Sequence, residues 1–193
     1  CGVENGNWIF DTSQSEMVWD FGNKRPGAAL LLPAGGRIAL NVHFINTSTE
    51  PVQEDASIEF FPATSHTTEV NPVRLIASGT LSVAPGQTTI VNSECGGAAP
   101  ARDLILMASH AHSHNSLFTV SLKGTEQYRS SNWADPEIKY FDKLMVGPND
   151  HILWSCTIAN DLTRNITWGN TLNSSEMCVV HAIAVGPKWV CNG

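Results

Sequence analysis

Leu104-Ile105-Leu106-Met107-Ala108-Ser109-His110-Ala111-His112-Ser113-His114 is the stretch that decides how this chain is read. A short apolar run passes directly into histidine at every second position. Successive side chains of a β-strand point to opposite faces, so a strand here projects His110, His112 and His114 to one side. Their backbone positions are then roughly 6.6 Å apart, near enough for the imidazoles to converge on one metal ion. The alternative is three polar residues on the solvated face of a strand, although nothing in folding asks for histidine three times over.

The rest of the sequence reads the same way around this segment. Arg37–Phe44 alternates, with Ile38, Leu40, Val42 and Phe44 on one face and Ala39, Asn41 and His43 on the other. Further strand-like runs are Ser57–Phe61, Val73–Ala77, Thr80–Val83, Thr88–Val91, Leu104–Ser109, Leu117–Leu122, Ile138–Phe141, His151–Ile158 and Cys178–Val185. Turn signals such as Pro33-Ala34-Gly35-Gly36, Ala84-Pro85-Gly86 and Gly147-Pro148-Asn149-Asp150 separate many of them. No window of a dozen residues keeps a helical period free of breakers. The expectation is an all-β chain, a jelly-roll β-sandwich over residues 37–193. Residues 1–36 hold Trp8, Phe10, Trp19 and Phe21 in Gly-rich polar surroundings. They are expected to form an irregular N-terminal arm packed on the sandwich by its aromatics.

Composition narrows the function. The chain has 193 residues, 42% of them hydrophobic and only 15% charged, with a net charge of −7. That balance supports a real core and argues against disorder. It also argues against nucleic acid, since no basic patch is present, and against an anionic membrane surface. No apolar run is long enough to span a bilayer. Five cysteines, Cys1, Cys95, Cys156, Cys178 and Cys191, include no C-x-x-C pair. Two disulfides and one odd cysteine is the simplest account, and it implies an extracytoplasmic protein: secreted, periplasmic or surface-anchored. Without an initiator methionine or signal peptide, the chain reads as a mature or trimmed product. Cys1 is then a lipidated terminus or the partner of a cysteine on a lost segment. Sequons stand at Asn46, Asn165 and Asn173.

A second segment bears on the metal. In Ser174-Ser175-Glu176-Met177-Cys178-Val179-Val180-His181, Met177 either fills a core gap or offers a thioether. Two imidazoles and a thioether suit copper, Cu(I) above all; zinc would prefer a third imidazole, which His114 could supply.

His110-Ala111-His112, Glu176-Met177-Cys178 and Asn41-Val42-His43-Phe44 together resemble motifs of the copper type II, ascorbate-dependent monooxygenases, of the peptidylglycine α-hydroxylating and dopamine β-monooxygenase type. The resemblance covers roughly residues 37–191, and the cysteine spacing agrees with it. It implies a catalytic jelly-roll domain with one copper on His110, His112 and Met177, O2 as oxidant and a reductant such as ascorbate. It implies the pairs Cys95–Cys191 and Cys156–Cys178. It makes His43 the counterpart of one ligand of a second copper, held in a separate preceding domain. The chain departs from the family in having no His-His dipeptide, so that second copper site is not assembled as in the family. Electrons would then come from a small reductant or a partner chain. Ala108, Val179 and His181 replace the arginine, asparagine and tyrosine that hold a peptide carboxylate, which disfavours peptide amidation and leaves a small-molecule or other peptide substrate open. His181 shares the parity of Met177 and could lie near the copper. A non-catalytic copper-binding or assembly module, and a zinc site on His110, His112 and His114, are the competing readings. His66 and His151 read as loop and strand-start residues.

Overall fold

The computed structural model describes residues 9, 16–40, 42, 48–63, 65, 67–77, 81–97, 100–171 and 174–193. The strand read from Leu104 extends in both directions, to Arg102–Ala111. In chain order the strands are β1 (Ala28–Leu30), β2 (Thr68–Ile76), β3 (Ser82–Val83), β4 (Thr88–Gly96), β5 (Arg102–Ala111), β6 (Asn115–Leu122) and β7 (Thr125–Ser130). They continue with β8 (Lys139–Tyr140), β9 (Met145–Val146), β10 (His151–Ala159), β11 (Ile166–Thr167), β12 (Cys178–Val185) and β13 (Trp189–Asn192). One helical turn, Phe21–Lys24, is capped by Asp20, whose carboxylate accepts from the Asn23 backbone N–H.

Two sheets result. One has the order β1-β2-β12-β5-β8, with β13 also on β2 and β9 also on β5; the other has the order β4-β10-β6-β7. The chain crosses between the two main sheets from β2 to β4, β4 to β5, β5 to β6, β7 to β8, β9 to β10 and β10 to β12, and stays within one sheet at the β6–β7 hairpin. Late strands are inserted between early ones: β12 lies between β2 and β5, and β10 between β4 and β6. That interleaving of two Greek keys makes the sandwich a jelly roll.

The core lies between the sheets and includes Leu104, Met107, Phe118, Tyr128, Ile152, Trp154 and Ile158. Both disulfides bind one sheet to the other: Cys95 on β4 to Cys191 on β13, and Cys156 on β10 to Cys178 on β12. Bridges of this kind form and persist in oxidising compartments. A second apolar cluster covers the outer face of the β1-β2-β12-β5 sheet, where Trp19, Phe21 and Leu30 pack on Val70, Ile105, Leu106 and Ile183. Of the N-terminal aromatics, Trp8 and Phe10 lie outside the described residues. Among the described residues no helix is long and apolar enough to cross a membrane.

Two expected strands are not strands in their described residues. Ser57–Phe61 is irregular, as are the described parts of Arg37–Phe44, residues 37–40 and 42. Ile38, Leu40 and Val42 stand 52%, 52% and 41% exposed, and Phe61 79%. Alternation specifies a strand only where the apolar face meets a partner surface, and these side chains stay largely exposed.

Candidate metal centre

The end of β5 and the start of β12 build the site. Their antiparallel ladder pairs Ala111 with Cys178, His110 with Val179 and Ala108 with His181. Residues directly opposite in such a ladder share a face. Ala111 and Cys178 face the core, so His110, Val179 and His181 face outward. His112 and Met177, one residue beyond the last paired rung, have the same parity.

The structure therefore brings His110, His112 and His181 together on the outer face, with Met177 beside them in parity and all four buried. The ring centres of His110 and His112 are 5.6 Å apart, and those of His110 and His181 are 5.8 Å apart. An imidazole nitrogen binds a metal at about 2 Å, so two rings sharing one ion have centres no more than roughly 6 Å apart. Both separations fit. The Nδ1 of His112 lies 3.0 Å from the Ser175 carbonyl oxygen. A carbonyl only accepts, so Nδ1 carries the proton and Nε2 presents its lone pair, the tautomer a ligand needs. Burial pushes the His112 pKa down to about 4, against the pull of the Ser175 carbonyl and helped by the nearby His110. The ring is neutral at neutral pH, as a ligand must be.

His114 departs from the expected pattern. β5 ends at Ala111, and a turn closed by the Asn115 N–H donating to the His112 carbonyl (3.1 Å) carries His114 off the strand face. Its Nδ1 lies 3.4 Å from Oδ1 of Asp161. Strand alternation cannot continue through a tight turn, so the third histidine is not aligned with the first two. Among the described residues no three side chains drawn from His, Cys, Asp and Glu converge as a metal site. Met177, buried one residue before Cys178, shares the outward parity of His110 and His112. His43 and His66 lie outside the described residues, as does Cys1. His151 stands at the start of β10 and contacts Glu94 on the neighbouring strand β4 of the same sheet.

One residue of the site enters the sequence analysis only as part of the Glu176-Met177-Cys178 motif, with no function of its own. Glu176 is completely buried. Its Oε1 accepts the backbone N–H of His112 and of Met177 (2.8 Å), and its Oε2 accepts that of His114 (3.1 Å). Burial pushes its pKa up to about 7, although the three N–H donors favour the carboxylate. The available signal was an acidic residue immediately before an otherwise apolar, buried strand.

No protein-family model matches the chain, and no curated protein is similar to it in sequence.

Proposed function

We propose that this jelly roll binds one copper ion through His110, His112 and Met177, and that it acts as a monooxygenase on a substrate C–H bond. The observation that carries the reading is the pair of buried imidazoles 5.6 Å apart, one of them fixed by Ser175 in the metal-binding tautomer. Copper(I) on two imidazoles and a thioether supplies one-electron chemistry toward O2, given an external reductant such as ascorbate. The chain's own residues do the rest. His112 is held neutral and oriented, and Met177 contributes a soft donor. Burial of the ligands keeps bulk water off the site. His181, next to His110 on the same face, is placed to meet a substrate or to complete the coordination.

A copper-holding module without turnover is the second reading, favoured by the same burial: His110 is 8% exposed and His112 4%. Metal analysis of the purified protein, then oxygen uptake by the copper-loaded form with ascorbate, tests both. Bound copper with ascorbate-driven uptake that rises on adding a hydroxylatable substrate is the expected result. Stoichiometric copper with no uptake beyond free copper supports the holding module, and no copper binding overturns both readings.

A further inference from the structure

The regular ladder between β5 and β12 stops at Ala111 and Cys178, yet both proposed ligands His112 and Met177 lie one residue past that rung. Past that rung each segment has its own backbone anchor, Glu176 on Thr167 and Gly169 and the His112 carbonyl on the Asn115 N–H, and no ladder bond joins His112 to Met177. Here a side chain takes the place of the missing rung. A single oxygen, Oε1 of Glu176, accepts the N–H groups of both His112 and Met177, while Oε2 takes His114. A fully buried carboxylate with three backbone donors is expensive to place in a small sandwich, and the core does not need it, because Cys178 and Ala111 already close the sheet beneath. Its three contacts all fall on the two segments that carry the ligands.

We infer that Glu176 is a positioning residue that sets the spacing of the His112 and Met177 ligands, and so decides whether the thioether reaches the copper; this rests on the copper reading above. Reach, rather than charge, is what the clamp requires. Gln at this position keeps an oxygen at the same distance to bridge His112 and Met177, and turns an NH2 donor in place of the acceptor toward the His114 N–H. Asp keeps the charge but is one methylene too short to span both N–H groups.

The test compares full-length wild type, Glu176→Gln and Glu176→Asp. Copper(I) affinity and the copper–sulfur signal in X-ray absorption are measured on the loaded proteins. Amide hydrogen exchange at His112 and Met177 is measured on the metal-free ones. Glu176→Asp should lose the sulfur signal and about tenfold or more in Cu(I) affinity, the usual scale for losing a group that orients a ligand. Glu176→Gln should keep the sulfur signal and lose less affinity. Glu176→Asp should also lose exchange protection at both amides. The reverse order of the two variants, or wild-type sulfur signal and affinity in Glu176→Asp, overturns the inference, because a role in charge or general stability predicts that order. A wild type that binds no copper overturns the metal reading alone, since slow exchange at His112 and Met177 that Glu176→Asp abolishes still identifies the clamp. Wild-type protection in Glu176→Asp overturns the clamp itself.

Discussion

Ile105 and Leu106 on β5 are fully buried on the outer face of the sheet, in the cluster covered by Trp19, Phe21 and Leu30; further along the same face, His110 near the end of that strand and His112 just past it are almost as deeply buried beside His181 and Glu176. The first end needs no explanation beyond the hydrophobic effect, at about 25 cal/mol for each Å² of apolar surface removed from water. The second end buries polar groups, a cost that hydrogen bonds such as those of Glu176 and His112 have to offset. Burying imidazoles and a carboxyl costs of order 1–3 kcal/mol per group unless each is fully hydrogen-bonded. Equal burial with opposite chemistry separates the part of the outer face that stabilises the sandwich from the part that is kept for something else.

The two disulfides offer the largest perturbation of that contrast. Cys95–Cys191 spans 96 residues and lies at the β13 edge, while Cys156–Cys178 spans 22 and its Cys178 adjoins Met177. In the chain-entropy account their removal costs about 4.7 and about 3 kcal/mol respectively. Cys95→Ser with Cys191→Ser should therefore lower the unfolding midpoint more, with copper affinity little changed. Cys156→Ser with Cys178→Ser should cost less stability and yet loosen copper. Calorimetry paired with copper titration reads both quantities, and equal loosening by the two pairs would remove the link between the shorter bridge and the site.

The comparison can be broken at either end by single side chains. Leu106→Ala removes a fully buried side chain and should cost about 2–5 kcal/mol while leaving copper affinity intact. His110→Ala with His112→Ala should abolish tight copper binding at a smaller cost in denaturant stability. Full-strength binding by that double variant would sink the ligand assignment. Met177→Leu conserves bulk, so it should cost under about 1.5 kcal/mol. Its Cu(I) affinity should fall more than its Cu(II) affinity, because the lost donor is soft. Equal losses in both oxidation states would return Met177 to the core.

How much of this could be read from the sequence follows from where the information lies. The bounds of β12 are those expected, and β10 differs by one residue, because unbroken apolar or alternating runs face a packed core. β7 was not foreseen. Thr125-Glu126-Gln127-Tyr128-Arg129-Ser130 is polar, and it is a strand because it borders the sheet and buries only Tyr128 and Ser130. Its turn signal was present in Lys123-Gly124, whose φ values of 53° and 73° suit the tight primed turn of a hairpin. Residues 37–40 and 42 show the opposite failure, a strand pattern whose described residues form no strand. The disulfide pairs came from the family resemblance and agree with the structure, since the cysteines alone left the pairing open. At the site, His110 and His112 were legible from alternation. Glu176 and the Ser175 carbonyl were not, because their role depends on which strand lies beside β5 and where the ladder between them ends.

The smallest expected effect sharpens the polar end of the comparison, and it concerns pH in the metal-free protein. Burial raises Glu176 from an ordinary carboxyl to about 7 and lowers His112 from an ordinary imidazole to about 4. Between about pH 4.5 and 7 the native protein holds the Glu176 proton more tightly than the unfolded chain does, so this group's contribution to stability falls as pH rises. Between about pH 4 and 6.5 the unfolded chain holds the His112 proton more tightly, so that contribution rises. The two slopes oppose each other and nearly cancel through pH 4.5–6.5. Glu176→Gln uncovers the histidine alone. The stability of this variant relative to wild type should climb across pH 4.5–7, by at most about 1.4 kcal/mol per pH unit. His112→Asn should do the reverse, losing ground to wild type from pH 4 to 6.5. Denaturant unfolding at half-unit pH steps measures both differences. A Glu176→Gln difference that is flat from pH 4.5 to 7 would mean that the three N–H donors outweigh burial, and that the clamp works as a carboxylate throughout.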